Sequence, residues 1–185
     1  MKRKVKDTKS KLAPELWKLI TSSLSQCDIA ILCCTSSTLL KILRVVLYEE
    51  VSLTNRHDAT IKLLLSDKTV SGSVLTFKFE NRRLSPKYDP DTTKAIQAAM
   101  KMTRLQKLHF SVNSAFLFQD LSQEKKFLDH FNNRKIPLQE FGYTNRSVDT
   151  RSTRFGLKNL TSLVWADEAC EYGSSSYCIN MLTST

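Results

Sequence analysis

Apolar residues recur at helical spacing near the start of the chain. Leu16, Leu19, Ile20 and Leu24 stand three and four positions apart, which places them on one helix face. Pro14 suits a first turn, where its missing N–H costs nothing, and Glu15 complements the helix dipole. Ser25 followed by Asp28 three residues on is a capping-box pattern and predicts a second helix. That helix is apolar nearly all round through Ile29, Ala30, Ile31, Leu32, Cys33 and Cys34. Such a helix is expected to be buried between other elements or against a partner. Thr35-Ser36-Ser37 offers the next N-cap, and Leu39, Leu40, Ile42, Leu43, Val46 and Leu47 follow on a third helix. Three short helices bury little by themselves and need a neighbour.

From Tyr48 the period changes. Val51 and Leu53 alternate as in a strand, and Asn55 with Asp58 predicts a helix through Leu65. Four later segments share the shape apolar-x-x-apolar-x-aromatic: Val74 to Phe79, Leu105 to Phe110, Leu138 to Tyr143 and Leu160 to Trp165. Their starts are 31, 33 and 22 residues apart, and each ends in strand-like alternation. Helical signals lie between them. Asp91 predicts a cap for Thr92 to Met102, with Ala95, Ile96, Ala99 and Met100 on one face, and Ser122 opens a stretch holding Phe127, Leu128 and Phe131. Residues 151–156 read as loop.

A strand and a helix repeating at roughly 20–30 residues is the pattern of a leucine-rich repeat, whose units bury their apolar faces by stacking. The usual Asn or Cys after the strand is missing or displaced, and an ordinary α/β domain with four strands is the alternative. In the repeat reading Phe77, Leu108, Phe141 and Leu163 hold equivalent inward positions in consecutive parallel strands. Phe79, Phe110, Tyr143 and Trp165 turn inward two residues later. Lys78, His109, Gly142 and Val164 then point outward, on the face available to a substrate, with Glu140 beside them. The chain runs about twenty residues beyond Trp165, which predicts a minimal or truncated array.

Composition narrows the function. The 185 residues are 41% apolar and 25% charged, which suits one domain or one domain plus a small module. The net charge is +10, and half of it sits in residues 1–11, which read as a disordered basic tail or an import signal. Apolar runs reach only about six residues against the roughly 20 that a bilayer needs. No apolar stretch follows the basic start, so a soluble protein of the cytoplasm or nucleus is expected. Four glycines, none closer than 14 positions, exclude the dinucleotide fingerprint, the P-loop and the kinase phosphate loop, all of which need clustered glycines. The five cysteines, Cys27, Cys33, Cys34, Cys170 and Cys178, lack zinc-ligand spacing and read as reduced, buried thiols, so no metal or cofactor is expected. His57, His109 and His130 lie in no catalytic motif, and an enzyme is not expected. The charge leaves a basic nucleic-acid-binding or scaffold protein as the alternative, although Arg82-Arg83, Lys125-Lys126 and Arg134-Lys135 are scattered and no reader motif occurs.

The segment Leu12-Ala13-Pro14-Glu15-Leu16-Trp17-Lys18-Leu19-Ile20 resembles the opening of an F-box, especially the fungal form L-P-P-E-L-W-x-x-I. Leu24, Ser25, Asp28 and Ile29 match its L-x-x-x-D-L. Ser36 matches the serine of its V-S motif, Leu39 a following leucine, and Tyr48 an aromatic near the end. Val51-Ser52-Leu53 resembles the strand after the box, so the resemblance covers residues 12–53. Ala13 stands where the family has proline, and Thr35 and Ser37 replace the usual Val and basic residue, which removes a basic contact.

The resemblance implies an α+β protein: a three-helix F-box at 12–53, then a short leucine-rich-repeat-like solenoid with parallel strands at 54–185. It implies a non-catalytic substrate-recognition subunit of an SCF ubiquitin ligase, bound to a Skp-type adaptor and through it to a cullin, with a protein substrate and no membrane or nucleic-acid partner. The adaptor-binding residues it implies are Leu12, Pro14, Leu16, Trp17, Ile20, Leu24, Ile29, Leu32, Ser36 and Leu39.

Overall fold

The computed structural model describes residues 14–54, 58–81, 90–112, 117–118, 120–133, 136–145, 157 and 160–167. The basic tail, Leu12, His57, Arg82-Arg83, Arg134-Lys135, the expected loop at 151–156, Cys170 and Cys178 lie outside the described residues. The chain divides into two units, Met1–Glu49 and Glu50–Thr185. Among the described residues no helix is long and apolar enough to cross a membrane.

Among its described residues the first unit holds three helices: α1 (Pro14–Thr21), α2 (Gln26–Thr35) and α3 (Ser37–Leu47). Each start has its expected chemistry. The Ser25 hydroxyl accepts from the Asp28 N–H at 3.2 Å, and the Asp28 carboxylate accepts from the Ser25 N–H at 3.2 Å, completing the capping box of α2. The Ser36 hydroxyl accepts from the Thr38 N–H at 3.2 Å and caps α3. The Thr21 hydroxyl donates to the Trp17 carbonyl at 2.8 Å near the end of α1. Gln26 Nε2 donates to the Leu47 carbonyl at 3.0 Å, tying the start of α2 to the end of α3. The core here is small. Ile29, Cys33 and Leu43 are buried, and Trp17, Leu24, Leu32, Leu39, Ile42, Val46 and Leu47 pack around them half-buried.

The second unit is mixed α/β. In chain order it comprises β1 (Glu50–Thr54), α4 (Asp58–Ser66), α5 (Lys68–Ser73), β2 (Thr76–Asn81), α6 (Pro90–Ala99), β3 (Lys107–Val112), α7 (Leu121–Asn133), β4 (Glu140–Asn145) and β5 (Ser162–Asp167). The strands form one sheet in the order β1-β2-β3-β4-β5, and every neighbouring pair is parallel. Among the described residues the sheet has five strands, where the repeated segments predict four. The extra one, β1, is the stretch that the resemblance groups with the helical box, and it pairs with β2 in the second unit.

The register joins equivalent positions. Val51, Phe77, Leu108, Phe141 and Leu163 form one row, and Leu53, Phe79, Phe110, Tyr143 and Trp165 another. The side chains from Val51 to Phe141 and from Leu53 to Tyr143 in those rows are buried, and Leu163 is half-buried. Phe110 meets the edges of Phe77 and Phe79 at centroid distances of 6.3 and 6.2 Å. Each such aromatic contributes about 1.5–3 kcal/mol over its exposed state. Phe127 of α7 packs on Phe141 at 6.1 Å, and Ala95, Ile96, Ala98 and Ala99 of α6 are buried.

One hydrogen-bond motif repeats between successive strands. The Leu75 carbonyl accepts from the N–H groups of Gln106 (2.8 Å) and Lys107 (3.0 Å). The Gln106 carbonyl accepts from Gln139 (2.8 Å) and Glu140 (3.0 Å), and the Gln139 carbonyl from Thr161 (2.8 Å) and Ser162 (3.0 Å). Each acceptor immediately precedes its strand, so each strand start is pinned to the one before.

Some helix boundaries differ from expectation. Helix α5 has no counterpart in the sequence pattern. Asp67 caps it, its carboxylate accepting from Thr69 and Val70 at 2.9 and 3.1 Å, and six residues carry too little periodicity to read. Helix α6 begins at Pro90, one residue ahead of Asp91, because proline fits a first turn. Helix α7 begins at Leu121. The Asp120 carboxylate accepts from the Gln123 N–H at 2.8 Å and fills the capping role expected of Ser122.

Candidate functional site

Two surfaces, one on each unit, carry groups whose arrangement suits recognition.

The first is apolar. Leu16, Leu19 and Ile20 lie at positions i, i+3 and i+4 of α1, on one face, and all three are exposed, Leu19 by 70%. Ile31 on α2, 63% exposed, and Leu40 on α3 are exposed as well. Helix geometry explains Ile31. It stands two residues from both Ile29 and Cys33, about 200° around the helix, so burying those two turns it away from the core. An all-round apolar helix in a unit with so small a core leaves one side uncovered.

The residues expected at the adaptor contact therefore separate. Leu16 and Ile20 are exposed. Trp17, Leu24, Leu32 and Leu39 are half-buried against the core, and Pro14 is the first residue of α1. Ile29, expected at the contact, is buried in the unit's own core with Cys33 and Leu43. Ser36 spends its hydroxyl on capping α3. Leu19, Ile31 and Leu40 join the exposed set without being expected there. Leu19 is legible from its spacing with Leu16 and Ile20. The cysteine expectation also changes: Cys33 is buried, and burial followed by its neighbour Cys34 pushes its thiol pKa up, but Cys27 and Cys34 are exposed.

The second surface is the open face of the sheet. Ser52, Lys78, His109, Gly142 and Val164 form one row across it, and Thr54, Glu80, Ser111, Thr144 and Ala166 the next. Lys78 is exposed and pairs with Glu50 at 3.1 Å, and Lys107 pairs with Glu140 at 3.2 Å. Exposed pairs of this kind stabilise little, but they balance the charge of the face. Two lysines against three glutamates, Glu50, Glu80 and Glu140, stand on its described positions, so the excess of +10 lies elsewhere.

His109 is half-buried and lies across Gly142, so closely that a Cβ on Gly142 would overlap the imidazole. Gly142 is thus not presented outward as expected. Having no side chain, it is buried under its neighbour's ring. His109 Nε2 stands 3.4 Å from the Thr144 hydroxyl. Burial, and then the Lys78 charge, lower the His109 pKa from its ordinary 6.5, against weaker opposition from Glu140 and Glu80. The ring is therefore neutral at pH 7. Val164 shares the row through its backbone pairing, opposite Gly142.

Ser52, Lys78, Glu80, His109, Ser111 and Thr144 line an open depression of about 260 Å³. Ser111 is only 7% exposed, and its hydroxyl has no hydrogen-bond partner. Sequence reasoning misses Ser111 and Thr144. Their signal lies in the register, since they follow His109 and Gly142 by two residues and share their face. Among the described residues no group of three His, Cys, Asp or Glu side chains could hold a metal ion.

No family model, curated protein or solved structure matches the chain.

Proposed function

We propose that the chain is a non-catalytic substrate-recognition subunit of an SCF-type ubiquitin ligase. Its helical unit, similar to an F-box, docks on a Skp-type adaptor and through it on a cullin. Its sheet unit, a short leucine-rich-repeat-like solenoid, holds a protein substrate. The observation that carries this reading is the exposed face of Leu16, Leu19 and Ile20 on α1, in a segment whose order and spacing resemble the F-box opening. Exposed apolar groups on one face mark an interaction surface. The parallel strands in chain order, and the carbonyl that each passes to the next, support the repeat reading.

Affinity capture of the tagged full chain together with a Skp-type adaptor tests the proposal. Leu19→Asp and Ile20→Asp place a charge in a dry contact, at a cost of several kcal/mol, and should reduce capture by a hundredfold or more. Leu121→Asp changes an equally apolar residue of the second unit, 82% exposed, and should leave capture intact. Failure of the wild-type chain to capture the adaptor sinks the proposal. Retention on heparin with a steep salt dependence would instead favour the nucleic-acid alternative.

A further inference from the structure

A hollow among the helices of the sheet unit shares no residue with either surface described above. We infer that this hollow, between the end of α4, helix α5 and the turn after α6, binds the phosphate of a small organic monoester whose carbon part rests on Leu65 and Met100. The inference does not depend on the ligase reading.

The hollow arises where the array departs from its own pattern. Two helices, α4 and α5, lie between β1 and β2, whereas the described residues hold one between β2 and β3 and one between β3 and β4. The added helix, the end of α4 and the turn that follows α6 border a space of about 460 Å³. That lies within the range of roughly 300–1,000 Å³ usual for small-molecule sites, which a bare inorganic ion does not fill. Leu65 and Met100, both half-buried, supply an apolar wall for the rest of the ligand, and a thioether suits an aromatic ring.

Lys68, Lys101 and Thr103 supply the donors, and all three are exposed, so a ligand reaches them. The Lys101 ammonium donates to the Leu65 carbonyl at the end of α4, which holds it at the rim and leaves its other N–H groups for a ligand. Among the described residues Lys68 forms no ion pair and the Thr103 hydroxyl makes no hydrogen bond. The other two hydroxyls are committed. Ser66 donates to the Leu63 carbonyl at 3.3 Å, and the buried Ser71 donates to the Lys68 carbonyl at 3.4 Å. Among the described residues no acidic side chain lines the space. The neighbouring Asp67 carboxylate accepts from the Thr69 and Val70 N–H groups at 2.9 and 3.1 Å. A phosphate monoester presents three acceptor oxygens and close to two charges, which two ammonium groups and a hydroxyl match. A carboxylate presents two oxygens and one charge, and leaves a donor over.

Titration of the full chain with phenyl phosphate, benzoate and inorganic phosphate, read on the Gly72 and Thr103 amide resonances, tests the site. Phenyl phosphate should give saturable shifts at both. Benzoate and inorganic phosphate should each bind about tenfold more weakly, the first for want of charge and the second for want of an apolar part. Lys68→Met should weaken phenyl phosphate about tenfold, and Thr103→Val about threefold. Lys126→Met, which changes an exposed lysine of α7 outside the hollow, should leave the affinity unchanged. No saturable shift with phenyl phosphate, binding as tight by benzoate or inorganic phosphate, or equal losses in Lys68→Met and Lys126→Met overturns the site. Tighter binding of N-acetyl-O-phosphotyrosine amide than of phenyl phosphate overturns the small ester as the source and puts a phosphorylated peptide in its place.

Discussion

In the sheet unit the aromatic residues of β2, β3 and β4 are buried row upon row, with Phe77, Phe110 and Phe141 fully covered. Among the described residues of the helical unit the buried hydrophobic side chains are Ile29, Cys33 and Leu43, while leucines and isoleucines of α1, α2 and α3 stand in solvent. Both units are rich in apolar residues, so composition does not separate them. Periodicity does. Strands alternate with period two, and one face of each can be emptied of apolar groups completely. Helix α2 is apolar on every side, and three short helices cannot cover all of it. Among the described residues the strands thus bury their aromatic rows, and the helices are left with a surface that suits a partner.

The largest expected effect contrasts the two directly. Phe110→Ala removes a ring that touches Phe77 and Phe79 and should destabilise the sheet unit by about 3–5 kcal/mol. Leu19→Ala, on an exposed face, should change stability by no more than about 0.5 kcal/mol. Urea midpoints of the two variants measure the contrast, and equal losses would mean that Leu19 is packed after all. A smaller effect tests the ring over Gly142. Gly142→Ala should cost about 1–3 kcal/mol by displacing His109, and much of that loss should disappear in a His109→Ala background. A purely additive double mutant would show that the ring does not occupy that place.

The smallest effect is a pH dependence. The folded chain holds the His109 pKa below that of the unfolded chain, so below pH 6.5 the unfolded state binds more protons. Stability should be level above pH 7 and fall on acidification through 6.5 towards the folded pKa. His109→Gln should flatten that decline in thermal melts recorded between pH 7.5 and 5.5. An unchanged slope would assign the decline to other groups.

The sheet is largely legible in the sequence because four segments repeat the same pattern, and repetition also aligns their registers. Phe77, Leu108 and Phe141 share a row on the strength of that repetition alone, and they pair so. Strand β1 is legible as a strand but not in its neighbour, because Val51-Ser52-Leu53 lacks the aromatic ending of the others. The site is legible only in part. Lys78 and His109 follow from alternation, but the covering of Gly142 depends on where the imidazole of the adjacent strand lies. Which side of α2 remains exposed is not legible, since an all-round apolar helix carries no sign of the side that its neighbours will take.

The carbonyls of Leu75, Gln106 and Gln139 each receive their donors from the strand that follows in the chain. The relation has a direction. The acceptor is always synthesised before the donors it holds, so during translation each newly emerged segment meets a template already in place. Growth from the N-terminal side can therefore proceed one strand at a time, while the reverse order leaves each of these strand starts waiting for its anchor. A chain ending after Asn133 should keep the Gln106 and Lys107 amides protected from exchange. A chain beginning at Gln106 should lose that protection while retaining it at Gln139 and Glu140.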